Sequence, residues 1–201
     1  MMQDWWSYTL SDFLLFSPRT YYRMLERHNE ALWPAQLLTW ALGMGILVLL
    51  RRPSARQGRI IAGILAVLWV WVAWAFLLRR YATINWAITY VVPLFLLEAL
   101  LLLWWGVIGA KLSFAVKQGA SGTVGGALVA LGILLYPALA TILGRPWQQA
   151  EVFGIAPDPT VIATVGLLLL ANSRFRWGLL PIPLIWCAIT AATLWAMSAQ
   201  S

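Results

Sequence analysis

Long apolar runs separated by short polar connectors dominate this chain. From Trp33 to Leu50, Ile60 to Leu78, Trp86 to Ile108, Gly122 to Leu143, Thr160 to Ala171 and Gly178 to Met197, Glu98 is the only formal charge. A helix rising about 1.5 Å per residue needs roughly 20 residues to cross a hydrocarbon core of about 30 Å. Five of the runs meet or approach that length. The fifth in order is too short and must borrow from Val152 to Pro159, a segment predicted to dip into the protein before its helix begins. Non-helical backbone is tolerated there only if protein or a cavity shields it from lipid.

The connectors, Arg51 to Arg59, Arg79 to Asn85, Lys111 to Ser121, Gly144 to Pro159 and Asn172 to Trp177, are too short for a second domain. The expected fold is therefore all-α, a polytopic membrane helix bundle of about six transmembrane helices over residues 31–201. An amphipathic interfacial segment precedes it at residues 1–30. There Ser11 and Asp12 are expected to cap a short turn through Phe16, and Ser17-Pro18 to start a helix through Leu25. Trp5, Trp6, Tyr8, Tyr21 and Tyr22 are types that favour the headgroup zone, with Arg19, Arg23 and Arg27 facing water or phosphate. Asp4, Asp12, Glu26 and Glu30 interrupt any signal-peptide core, so this segment is expected to be retained.

Composition narrows the class. At 62% hydrophobic and 10% charged residues, the 201-residue chain cannot cover its surface for water. The bilayer is the expected partner. The net charge of +7 lies in short clusters between apolar runs, a pattern of membrane orientation and not of nucleic-acid binding. With six crossings, the first, third and fifth connectors hold 8 basic residues and the opposite side 6. The positive-inside rule then expects a multi-pass protein of a bacterial cytoplasmic (inner) membrane with periplasmic termini. Gly122, Gly126 and Ala130 recur every fourth residue, a face suited to close helix approach within one subunit or in a homo-oligomer.

Three features carry candidate chemistry. Glu98 lies roughly 18 Å along a helix from Trp86, where a charge is costly and asks for a partner or a task. Pro93 is expected to bend that helix. Glu98 reads either as structural glue bonded to a group such as Tyr136, or as a proton or cation relay. Asp158, held between Pro157 and Pro159 ahead of Thr160, reads either as the cap of the fifth helix or as an acidic ligand at a buried helix end. His28, Asn29 and Glu30 fall on the same side as Asp158 and Glu151, and one imidazole with three carboxylates suits a divalent cation if they converge.

No phosphate loop, His-Glu-x-x-His or Gly-x-Ser-x-Gly signature is present, and an enzymatic role is not expected. The lone Cys187 offers no disulfide framework or thiolate cluster. Bound cofactors are not legible. The single His excludes bis-histidine haem within one subunit, and most of the 14 Trp fall at helix ends as an aromatic belt.

The segment Tyr21 to Gln36, containing Asn29, Trp33-Pro34 and Gln36, resembles a family of bacterial integral membrane proteins known only as a domain of unknown function. The similarity extends to Ile84-Asn85-Trp86, to Tyr136-Pro137, and to Phe153 to Thr160 with its Phe-Gly-x-x-Pro-x-Pro-Thr pattern. It covers nearly the whole chain and implies no activity. It marks Asn29, Trp33, Pro34, Gln36, Asn85, Pro157, Pro159 and Thr160 as a shared structural or functional centre near one membrane face. Relatives often place Cys between the two prolines; Asp158 here argues against soft-metal transport.

Two functions are expected. One is a small transporter or channel-like protein for a cation, proton or small solute, with Asp158 as the binding point and Glu98 as the relay. The other is a non-catalytic accessory subunit of a respiratory, photosynthetic or assembly complex, contacting a quinone or pigment.

Overall fold

The computed structural model describes residues 16–116 and 118–198. The expected turn at Ser11 to Leu15 and the aromatic residues Trp5, Trp6 and Tyr8 lie outside them. Helix α1 (Pro18–Leu32) starts where the sequence predicts. The Ser17 side chain accepts from the Thr20 N–H at 3.3 Å, and Pro18 sits in the first turn, where no N–H is required. Tyr21, Met24, Leu25 and His28 recur at three- and four-residue spacing and bury one face, while Arg19, Arg23, Arg27 and Glu30 are exposed. With six Arg, Glu and His side chains in 15 residues, α1 cannot cross a bilayer alone. It meets α2 (Ala35–Leu49) at 88°.

Four helices are long and apolar enough to span: Ala55–Thr83, Trp86–Ile108, Ala120–Ile142 and Arg176–Ser198, with the bent α1–α2 pair as a fifth if taken together. They contain α3 (Ala55–Val72), α4 (Val92–Leu101), α5 (Ala120–Ala130), α6 (Tyr136–Ile142), α8 (Arg176–Leu179) and α9 (Pro181–Ser198). Between α6 and α8 lies α7 (Pro157–Leu170), shorter and apolar. The expected runs and the observed helices agree closely. Wider π-helical turns, which the apolar pattern does not announce, continue α3 over Ala73–Leu78, α4 over Leu102–Ile108 and α5 over Leu131–Leu135. Pro93 does not kink an existing α-helix. It lies in the first turn of α4, after a 3-10 segment at Trp86–Tyr90, where its missing N–H is harmless.

Helix α7 is the buried centre, and its closest neighbour is α5. A Cβ added at Gly166 would meet Gly125 O and Val129 N at 2.7 Å, and one at Gly132 would meet Pro159 O at 2.6 Å. Main chain therefore packs directly on main chain. Gly125 and Gly132 carry this contact. Of the predicted Gly122–Gly126–Ala130 face, Gly122 is buried while Gly126 meets nothing within 4 Å in the single chain.

The two ends of the bundle are tied differently. At one, the Gln57 amide donates to Phe114 O at 3.0 Å, and the Asn172 N–H donates to Ser113 O at 2.8 Å. The first, third and fifth connectors thus share one end, as expected. At the other end, α1 packs under the connector between α6 and α7.

Candidate functional site

The α6–α7 connector turns inward before α7. Glu151 and Phe153 to Ala156 are all buried, so the predicted dip is present. Thr160 shapes it: its hydroxyl accepts from the Gly154 N–H at 2.8 Å and donates to Ala156 O at 2.7 Å. Gly154 has φ +74°, and a Cβ there would press on Thr39 and Leu68, so glycine is required twice over. Asn29 holds the outer part, its amide donating to Gln148 O and Ala150 O at 2.8 Å each. Gln36 in turn donates to Asn29 O at 2.8 Å.

The helix start directs Asp158. Ala156 is the cap residue, so Asp158 is in the first turn and does not cap α7. Pro157 and Pro159 on either side lack N–H groups, which leaves a capping carboxylate little to bind locally. The side chain reaches α9 instead. Its Oδ1 accepts from Trp186 Nε1 at 2.6 Å and from the Thr190 hydroxyl at 2.8 Å, while the Tyr136 hydroxyl stands 3.5 Å from Oδ2. Trp186 and Thr190 are four residues apart, hence on one helix face.

Glu151 completes an acidic pair. Its carboxyl group interacts electrostatically with that of Asp158, its Oε2 has no hydrogen-bond partner, and the two residues are 8% and 5% exposed. Burial, together with the Asp158 carboxylate, pushes the Glu151 carboxyl well above its ordinary value, against the pull of Arg145. Arg145 lies 4.4 Å over the Tyr22 ring, and its Nε and one terminal nitrogen have no partner. Tyr21, Tyr81 and Tyr136 also lie within electrostatic range of both carboxyl groups. A cleft of about 180 Å3, lined by Tyr136, Asp158, Ile162, Trp186, Cys187 and Thr190 among others, opens onto the group.

The remaining candidates sit apart. His28 Nε2–H donates to Ile155 O at 3.2 Å and its ring meets Phe76 edge-on, so the imidazole braces the dip from below. Burial lowers its pKa to about 4. Glu30 is exposed. The expected convergence of His28, Glu30, Glu151 and Asp158 does not occur, and no group of three or more His, Cys, Asp or Glu among the described residues is arranged to hold a metal. Glu98 is fully buried with neither carboxyl oxygen bonded, and Tyr136, expected as its partner, serves Asp158 instead. Phe95, one turn before Glu98, packs between Trp69 and Trp186, and Trp69 donates to the Thr164 hydroxyl at 3.1 Å. Asn85 caps the Trp86–Tyr90 turn by accepting from Ala87 N–H, and Trp33 and Pro34 form the exposed α1–α2 corner, joined by a cis peptide bond.

Residues 19–200 match the model of a family described as a family of unknown function (DUF6064). The chain belongs to that family. Neither a curated protein nor a solved structure matches it. In this chain, most polar positions marked by the resemblance are engaged at this one end of the bundle. Asn29 and Gln36 fasten the connector, Thr160 folds the dip, and Pro157 and Pro159 free Asp158 for α9. Trp186, Thr190 and Arg145 were not identified from sequence. The four-residue spacing of Trp186 and Thr190 in an otherwise apolar helix was the available signal for two of them.

Proposed function

We propose that this membrane protein is a small transporter for protons or a monovalent cation, with the Glu151–Asp158 pair as its binding point. The supporting observation is the pair itself: two electrostatically interacting carboxyl groups, each more than nine-tenths buried, beside a cleft and near one guanidinium with unused donors. Two buried carboxylates cannot both stay ionised without compensation, so the pair retains a proton or a cation. Asp158 accepts from Trp186 and Thr190 and is the ionised member; Glu151 carries the exchangeable proton. Glu98, with both oxygens unengaged, is the intramembrane relay of this reading. The proposed setting is a bacterial cytoplasmic membrane with both termini on the periplasmic side, following the excess of basic residues at the other end.

The test is flux in proteoliposomes under an imposed membrane potential, followed with an entrapped pH or sodium indicator. Wild-type flux that disappears in Asp158→Asn and in Glu98→Gln, with insertion intact, is the expected result. Normal flux in both variants overturns the reading. If wild type gives no flux and instead co-isolates in mild detergent with a stoichiometric membrane partner, the accessory-subunit function replaces it.

A further inference from the structure

The exposed face of α1 and the end of the Ala55–Thr83 helix enclose a groove that the carboxyl pair does not use. Its outer half, about 280 Å3, is lined by Thr20, Arg23, Arg27, Arg80 and Thr83 among others. Its inner half, about 360 Å3, shares Arg80 and adds Arg79, His28, Leu32, Trp74 and Ala75 among others. Thr20, Arg23 and Arg27 follow at three- and four-residue spacing along one face of α1, so their polar ends point the same way. Among the described residues no carboxylate pairs with Arg23, Arg27 or Arg80, and Arg79 lies 5.4 Å over the Trp74 ring. Among the described residues, positive charge is thus concentrated here without an ion-paired carboxylate.

Both halves set guanidinium groups beside apolar side chains: Met24 and Ile84 in the outer half, and Leu32, Trp74 and Ala75 in the inner half, the last two more than a turn further into the Ala55–Thr83 helix than Arg79. A free anion needs only the guanidinium groups. A molecule with a charged head and an apolar body engages both kinds of lining, and guanidinium forks match phosphate oxygens in pairs.

We propose that this groove binds an anionic phospholipid, its phosphate held by Arg23, Arg27 and Arg80 and its acyl chains leaving past Trp74. The site is separate from the carboxyl pair and stands whether or not that pair conducts ions.

The purified full-length protein in mild detergent is titrated with phosphatidylglycerol or phosphatidylcholine, and binding is read by native mass spectrometry. Phosphatidylglycerol is expected to bind roughly tenfold more tightly than phosphatidylcholine, a preference that Arg27→Gln/Arg80→Gln removes. Arg51→Gln/Arg52→Gln, which deletes equal charge at the opposite end, should leave it unchanged. Equal binding of the two lipids by wild type overturns the proposal without any variant. Equal loss in both double variants reduces it to non-specific charge attraction and also overturns it. Inorganic phosphate that displaces phosphatidylglycerol at equal concentration identifies a free-phosphate site and overturns the lipid assignment.

Discussion

Gly166→Ala tests the placement of Asp158, because α7 holds its depth and register by pressing main chain on α5. The added methyl would stand 2.7 Å from Gly125 O and Val129 N, both backbone atoms with no rotamer to escape into. Ordinary contact begins near 3.4 Å, so the helices must separate by roughly 0.7 Å. In a helix interior the same substitution gains up to about 1 kcal/mol in propensity, whereas overpacking a tight contact costs about 1–3 kcal/mol. With two rigid clashes the cost takes the upper end, and a net loss of about 2 kcal/mol is expected. Gly126→Ala is the control: it lies in α5, meets nothing within 4 Å and keeps only the propensity gain. Apparent melting midpoints in one detergent at one scan rate should fall by about 4–8 °C for Gly166→Ala. Gly126→Ala should hold or rise by about 2–4 °C. Equal shifts for the two variants, or a stabilised Gly166→Ala, would refute the α5–α7 contact.

Trp186→Phe and Asp158→Asn should be strongly coupled in a double-mutant cycle on thermal stability, by about 1–2 kcal/mol, because a bond to a charged acceptor is lost in either single variant; additive effects would separate the two side chains. His28 has a folded pKa of about 4 against an ordinary 6.5, so the native state binds fewer protons between those values and its stability falls as pH drops through that window. The full contribution is about 3 kcal/mol. His28→Gln should therefore lose less melting midpoint than wild type between neutral pH and pH about 4.5, and an equal or larger loss excludes a buried neutral imidazole. Asn29→Ala leaves Gln148 O and Ala150 O without their donor, at about 1–2 kcal/mol of local stability. Faster limited proteolysis between Gly144 and Ala150 checks it, and an unchanged cleavage rate would contradict it.

The spans were legible because lipid imposes a coarse rule: every residue in the hydrocarbon is apolar or has a reason not to be. That rule located the apolar helices, the short fifth one, and Glu98 and Asp158 as exceptions. The inward dip was readable for a related reason, since α7 alone cannot cover the core and Pro157-x-Pro159 bars an earlier helical start. What the rule cannot supply is rotation about each helix axis. Tyr136 is one residue beyond a π-helical stretch that turns it toward Asp158, and an α-helical projection does not foresee that rotation. Gly125, one position from Gly126, is likewise placed against α7 by a rotation that the sequence spacing does not fix. Thr190 and Trp186 looked like ordinary residues of an apolar span, because their significance depends on which helix faces them.

The bonds from α9 to Asp158 set an order on biogenesis. Trp186 and Thr190 follow Asp158 by 28 and 32 residues, so the carboxylate emerges from the ribosome ahead of its donors. A 14-residue helix spans about 21 Å, short of the core by roughly a third, and it brings Glu151 and Asp158 with it. Such a segment cannot partition into lipid by itself. It depends on α5 and on the last helix to be held there, which makes the arrival of α9 the step that secures α7 and its acidic pair within the bundle.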